Sequence, residues 1–412
     1  MRTVINKNKF FEILFIICVA VPYLNNYELT FAVWFATVLI SLQKSYSKNF
    51  IVLIGSFLMI LTTAFLVSFF CDNKLYDFIR DFTYLLKPIF GLLIGYQICK
   101  SNLKNPLKTA VNAGVFIAVI HLYIVFFSFF FRGIRNIHEL RFNAGYFSDY
   151  EIYVLILIIF NIKFKIDLST KTKTIYIALL TLSSLFYLSR INLIQFIILF
   201  LAVKGYFRLN KKTLIALSSI ILSFLLAYSA ILFINPKRNG AGVEAFLYKL
   251  KIAPTEPFKT KIKFDDYKDF NDNYRSYENI MTVKQSYNID NFKIYFGQGL
   301  GSKVNLHREV LLDGVLMDSI SIMHNGFTTI FLKSGLLGVL LLLLSIFYLT
   351  KNYSPLQSNK YLNYLITGSV LFLILSYWVF MGFYFKADTK SIFIGLLIAL
   401  IEKNKSNIAL QN

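Results

Sequence analysis

Residues 50–70 read FIVLIGSFLMILTTAFLVSFF, without a single charged side chain. At about 1.5 Å per residue, a helix of that length covers roughly 30 Å, the hydrocarbon thickness of a bilayer. The same pattern recurs outward along the chain, at 111–131, 214–234 and 335–349. Hydrophobic residues make up 56% of the 412 positions, against roughly 45–50% in soluble domains. A water-soluble core cannot use so much, so these runs are expected to be membrane spans. Arg2, Lys7 and Lys9 precede the apolar stretch 10–24 as in a signal peptide, but Asn25-Asn26-Tyr27-Glu28 offers no small-residue cleavage site. A retained first helix is expected.

Apolar runs between polar breaks place spans at 10–24, 29–42, 50–70, 82–98, 109–131, 150–164, 174–188, 191–203, 213–234, 325–349, 362–385 and 389–401. The expected fold is an all-α integral membrane protein of about twelve transmembrane helices. Its organisation is residues 1–235 with spans one to nine, 236–323 as one large polar loop, and 324–412 with spans ten to twelve and a tail. The formal charge of +21 would suggest nucleic acid in a soluble protein, but most lysines and arginines fall in short loops between apolar runs. That pattern reports orientation. The loops 43–49, 100–108, 163–173, 204–212, 351–360 and 402–412 each carry at least two of them, so both termini are expected inside and the large loop outside. Cys18, Cys71 and Cys99 are isolated, indicating packing and neither disulfides nor a thiolate metal site. The two halves show no repeat of the kind common in transporters. The loop holds about half of all Asp and Glu, with Pro254 and Pro257 separating two stretches. At such a length it is expected to be partly helical and functional.

Charges gathered at the loop side are the candidates for chemistry. Arg190 occupies a turn between two apolar runs, either as a snorkelling lipid anchor or as a guanidinium fork for phosphate. Arg132, Arg135, His138 and Arg141 crowd the segment before span six, against the positive-inside trend. Lys87 precedes Pro88 inside span four; an intramembrane cation is functional by default, and a kinked helix end is the plain alternative. Arg275 lies in Tyr274-Arg275-Ser276-Tyr277-Glu278, the start of a stretch that can be helical to Tyr287. Phe296-Gly297-Gln298-Gly299-Leu300-Gly301 follows, and reads as a tight turn because no strand–helix context supports a dinucleotide fingerprint. Asp265, Asp266, Asp269 and Asp272, interleaved with lysine, read as a solvated helix face before a metal site. His324-Asn325 stands where the loop re-enters the membrane, either as a helix cap or as an imidazole suited to take a proton near neutral pH. His121 and His307 read as structural. Tyr248, Tyr267, Tyr274, Tyr277, Tyr287 and Tyr295 could stack sugars or pack the loop.

The combination resembles the superfamily of O-antigen polymerases and O-antigen ligases, bacterial inner-membrane glycosyltransferases. The matching elements are Leu188-Ser189-Arg190, the Arg275 segment running into Phe296-Gly297-Gln298-Gly299-Leu300-Gly301, and His324-Asn325 followed by Gly335-Leu336-Leu337-Gly338, together with their order and the large loop between spans nine and ten. The resemblance implies a GT-C-like fold and an inverting, metal-independent transfer of glycan from undecaprenyl diphosphate to a sugar hydroxyl, with no cofactor. It implies that Arg190 and Arg275 hold the diphosphate and that His324 serves the acceptor hydroxyl. Arg141 matches an arginine the family often has before span six; Lys87 is a looser match, and Arg135 and Asn325 are further expected contacts of the substrate. Glu278 and Asp318 are reserve bases. The membrane is then the bacterial inner membrane, with the loop in the periplasm. The expected partners are the lipid-linked oligosaccharide, membrane lipid, and a chain-length regulator and flippase of the same pathway.

Ligases often carry a second histidine two positions before the His-Asn pair, and here that position is Ile322. This tilts the expectation to a polymerase, with the ligase next. A lipid-linked oligosaccharide flippase is the reading from another class: it would use Arg190 and Lys87, but it leaves the long loop ending in His324 without a task.

Overall fold

The computed structural model describes residues 7–101, 103–145, 148–187, 189–207, 211–237, 243–252, 255–256, 259–262, 266–289, 291–312, 315–351, 356, 359–385 and 388–409. Leu188, Pro254, Pro257 and Asp265 lie outside them, as do the side chains of His138 and Tyr267. The chain is predominantly helical, and every one of the twelve apolar segments contains a helix. These are α1 (Lys7–Ala20), α2 (Tyr27–Ile40), α3 (Lys48–Ser68), α4 (Leu75–Lys100), α5 (Pro106–Phe130), α7 (Asp149–Ile159), α8 (Thr170–Phe186), α9 (Arg190–Lys204), α10 (Lys211–Ile234), α15 (Gly326–Lys351), α16 (Lys360–Val379) and α17 (Lys390–Ala409). A short α6 (Ile137–Ala144) precedes α7. Among the described residues, α3, α4, α5, α15 and α16 are long and apolar enough to cross a membrane.

Two expected spans are shorter than the sequence suggested: the run 362–385 is α-helical only to Val379, and the run 150–164 ends sooner still. The run 150–164 becomes the 11-residue α7, which at about 1.5 Å per residue reaches only roughly half a hydrocarbon core. Asn161 ends it: its side-chain amide donates to the Ile166 carbonyl at 3.2 Å, and its side-chain oxygen accepts from Lys173 at 2.8 Å. The chain then turns at Lys165, in left-handed backbone with φ 54°.

Contacts between distant segments define two faces. On one, the Asn8 side chain accepts from the Lys104 backbone N–H at 2.8 Å, and Glu402 accepts from Tyr96 and Lys100, each at 2.7 Å. Both ends of the described chain therefore share a face. On the other, the segment that closes the large loop docks onto the ends of α3 and α4 and onto α15. The Gln298 and Gly299 N–H groups donate to the Leu332 and Lys333 carbonyls at 2.7 and 3.1 Å; Leu300 N–H donates to the Ser68 hydroxyl at 2.6 Å, and Gly301 N–H to Asp81 at 2.8 Å.

The glycine run is indeed a tight turn, with φ of +81°, +77° and +82° at Gly297, Gly299 and Gly301. It lies against an interruption in α15, where Gly335 has φ +65° and a side chain would put its Cβ 2.4 Å from the Phe296 backbone nitrogen. Only glycine accepts both that conformation and that approach.

Two buried ionic clusters brace the loop face. Lys333, within α15, pairs with Asp81 of α4 at 2.6 Å; Arg80 pairs with Asp77 at 2.9 Å, and Lys303 reaches Asp77 at 2.8 Å. Lys390, at the start of the expected span 389–401, is fully buried between Asp149 at 2.5 Å and Asp388 at 2.6 Å.

The loop contains α11 (Val243–Ile252), α12 (Tyr267–Asp272), α13 (Tyr274–Ile289) and α14 (Asn291–Phe296). It also holds two strands that the all-α reading did not foresee: β1 (Val304–Leu312) pairs antiparallel with β2 (Val315–Ile320). An irregularity between Asn305 and Val310 carries His307 at φ 51°. Ile262, Phe270, Tyr277, Val304, Leu306, Val310, Ile320 and Met323 form a core of the loop's own that reaches Leu332 of α15.

Candidate active site at the loop face

Helix α13 is the platform. Tyr277, on its inner side, is buried, donates its hydroxyl to the Leu306 carbonyl, and packs its ring 5.1 Å from Phe270. Asn279 accepts from the Thr328 hydroxyl at 2.7 Å, tying α13 to the first turn of α15. Four residues apart and so on one helical face, Tyr274 and Glu278 turn toward the loop's exit, and Arg275 sits half-buried beside them.

His324 meets that face. Glu278, 1% exposed, accepts from the His324 backbone N–H at 3.0 Å, and both of its oxygens lie 3.0 Å from the ring Nδ1. An ionised carboxylate only accepts, so Nδ1 is the donor to Glu278, and in the neutral ring Nε2 has the lone pair. The His324 side chain is 42% exposed; that lone pair belongs to the open side of the ring. Tyr274 stands edge-on to the imidazole, centroids 6.0 Å apart. Burial first, then the charge of Glu278, pushes the Tyr274 phenol well above its usual range, which keeps it neutral beside the pair.

Of the His324-Asn325 pair offered as a helix cap, Asn325 takes that role. Asn325 is buried; its side-chain oxygen accepts from Thr328 N–H at 3.1 Å and its carbonyl from Thr329 N–H at 3.0 Å. Asn325 thereby starts α15 and holds His324 one residue outside it.

Arg190 opens α9 on the exposed surface and donates to the Lys249 carbonyl at 3.3 Å. The charges acting on its guanidinium are those of Glu256 and Arg275. The Glu256 carbonyl in turn accepts from Ser276 of α13. Arg190, Arg275 and Glu256 are thus close enough to act on one another electrostatically, beside the α13 face that bears Glu278.

The remaining expected residues are placed as follows. Lys87 is buried in α4; its ammonium donates to the Phe385 carbonyl at 2.6 Å and lies 5.9 Å from the Trp34 ring. Arg141 is half-buried on α6, while Arg135 is exposed just before it. Asp318 is exposed on β2 and accepts from the Ser319 hydroxyl at 2.9 Å. Asp269 pairs with Lys259 at 2.5 Å and Asp272 with Lys249, so these carboxylates serve ion pairs along the loop. Among the described residues, no group of three or more His, Cys, Asp or Glu side chains is arranged to hold a metal ion. His121 stacks on Tyr187 at 3.7 Å, with Nδ1 2.8 Å from Ser183, a packed interior histidine.

Sequence reasoning offered Tyr274 only among the tyrosines that could stack sugars or pack the loop, not as a neighbour of the Glu278–His324 pair, and passed over Glu256. The i, i+4 spacing of Tyr274 and Glu278 was the available signal for the first. Compared with protein-family models and with curated proteins, the chain has no match.

Proposed function

We propose that the chain is a multi-pass inner-membrane polysaccharide polymerase with a GT-C-like arrangement of twelve spans. It transfers a growing glycan from undecaprenyl diphosphate to a hydroxyl of another lipid-linked repeat unit, at the periplasmic face. The observation that supports this reading is the contact of His324 with Glu278, which lies on the same helix as Arg275, with Arg190 within electrostatic reach of Arg275.

The chemistry needs two things. A diphosphate leaves already ionised, so its growing charge calls for fixed cations, here Arg190 and Arg275. The acceptor hydroxyl is a weak nucleophile and calls for a base, worth about 10²–10⁴ in rate. In the proposed step the acceptor oxygen bonds to the anomeric carbon as the bond to the diphosphate oxygen breaks. The hydroxyl proton passes to His324 Nε2, Glu278 stabilises the imidazolium, and attack from the face opposite the diphosphate inverts the centre. Arg141, Arg135 and Asn325 are proposed to border the glycan; Lys87, committed to a backbone carbonyl, supports the fold beneath.

In a complementation assay, His324→Ala and Arg190→Ala should each abolish the multi-repeat ladder and leave a single-repeat glycan on lipid A-core. Arg190→Lys should also fail, because an ammonium cannot form the fork of two parallel hydrogen bonds that a diphosphate takes. A ladder surviving both alanine changes would remove the site assignment. Polymer accumulating unattached on the lipid carrier would make the protein the ligase.

A further inference from the structure

On the face that carries the described termini, opposite the site above, a cavity of about 480 Å³ opens between the ends of four helices. The start of α5, the turn after α7, the start of α16 and the end of α17 bound it. Lys104, Lys108, Lys163 and Lys165 line it against one carboxylate, Asp167, with apolar side chains between. Among the described residues, none of these four ammonium groups has an ion-pair partner.

Lys163 is held in place and left uncompensated. Its ammonium lies 4.7 Å from the Phe160 ring and 4.9 Å from the Tyr361 ring. Burial, then the like charges of Lys204 and Lys360, pull its pKa below the usual lysine range. A neighbouring anion would relieve both effects.

The helix ends add donors of the same sign. Neither Asn105 before α5 nor Asn359 before α16 makes a side-chain capping bond. The reason is plain at Asn359, whose side chain donates to the Ile401 carbonyl at 3.1 Å and accepts from Asn404 at 2.6 Å. First-turn residues of both helices line the cavity, and uncapped first turns present N–H groups and the positive end of the dipole. Separate lysines on a solvated surface would repel one another apart; here the fold gathers them around a recess.

We propose that this cavity binds a phosphate group, carried either by an anionic lipid headgroup or by a soluble polyphosphate. The site is separate from the glycan chemistry and does not depend on it.

The test uses the full chain in nanodiscs. Its thermal midpoint is measured in phosphatidylcholine alone, in phosphatidylcholine with phosphatidylglycerol, and in phosphatidylcholine with added pyrophosphate. The exposed triple variant Lys104→Gln/Lys108→Gln/Lys165→Gln and its Lys→Arg counterpart are measured beside it. The wild type should gain stability with one of the two anions, the Gln variant should require about tenfold more of it, and the Arg variant should respond as wild type. A gain with phosphatidylglycerol assigns a headgroup, and a gain with pyrophosphate a soluble ligand. No gain with either, or equal gains in wild type and the Gln variant, overturns the proposal.

Discussion

A carboxylate sealed from solvent and bonded to a half-exposed imidazole sets which ring nitrogen carries the proton. In Glu278→Gln the amide can still accept from the His324 backbone N–H, but its NH₂ then faces Nδ1 and drives the ring proton to Nε2. The base is present in the wrong tautomer. The expected result is a fall in kcat of about 10²–10⁴ with KM little changed, measured on a purified lipid-linked repeat unit; an unchanged kcat would show that His324 does not act as a base. Arg190 and His324 could be picked from the sequence because charges at the edges of apolar runs are costly and conspicuous; Arg275, in the middle of the polar loop, stood out only through the family resemblance. The role of Glu278 could not be picked out. It depends on a contact across 46 positions, made only when α13 lies over the start of α15.

At the scale of elements, the interruption of α15 decides how the loop meets the membrane. Gly335→Ala would force a Cβ toward the Phe296 nitrogen and the Tyr295 carbonyl oxygen, both 2.4 Å away, in a left-handed conformation. A loss of about 1–3 kcal/mol from the backbone alone is expected. It should show as a lower thermal midpoint and faster proteolysis of the 236–323 region, and equal protease resistance would count against the docking role. The helices were legible because apolar runs have no other use in so hydrophobic a chain. The hairpin was less so, although Asp313-Gly314 between the apolar runs 310–312 and 315–317 is a recognised hairpin signal. The end of α7 hung on one polar residue, Asn161, whose partners are set by the fold.

For the whole molecule, the Lys333–Asp81 pair couples α15 to α4 beneath the loop, with both side chains 2% exposed. Breaking one partner leaves a buried charge, so Asp81→Asn should cost about 3–5 kcal/mol. The double change Asp81→Leu/Lys333→Met should recover much of that, read by thermal unfolding in detergent; a double variant no more stable than the single one would deny the coupling. The sequence showed the distribution of lysine and arginine among loops, which motivates the orientation, and put Lys333 and Lys390 within expected spans, but gave no sign of the carboxylates that pair with them. Each was read by its position in an apolar or boundary segment, while its partner comes from a remote one.

The glycine turn has a consequence for descent. It is docked largely through the main chain, by N–H groups given to carbonyls, to Ser68 and to Asp81, with two of its own side chains adding to the contact, Gln298 bonded to Ser286 and Gln285 and Leu300 buried in the core. Mutation can rewrite most of the neighbouring loop without undocking it, provided glycine stays at 297, 299, 301 and 335. Distant kin of this chain would then share little more than that spacing, and lineages could exchange the surfaces that meet different glycans while the hinge beneath them stayed the same.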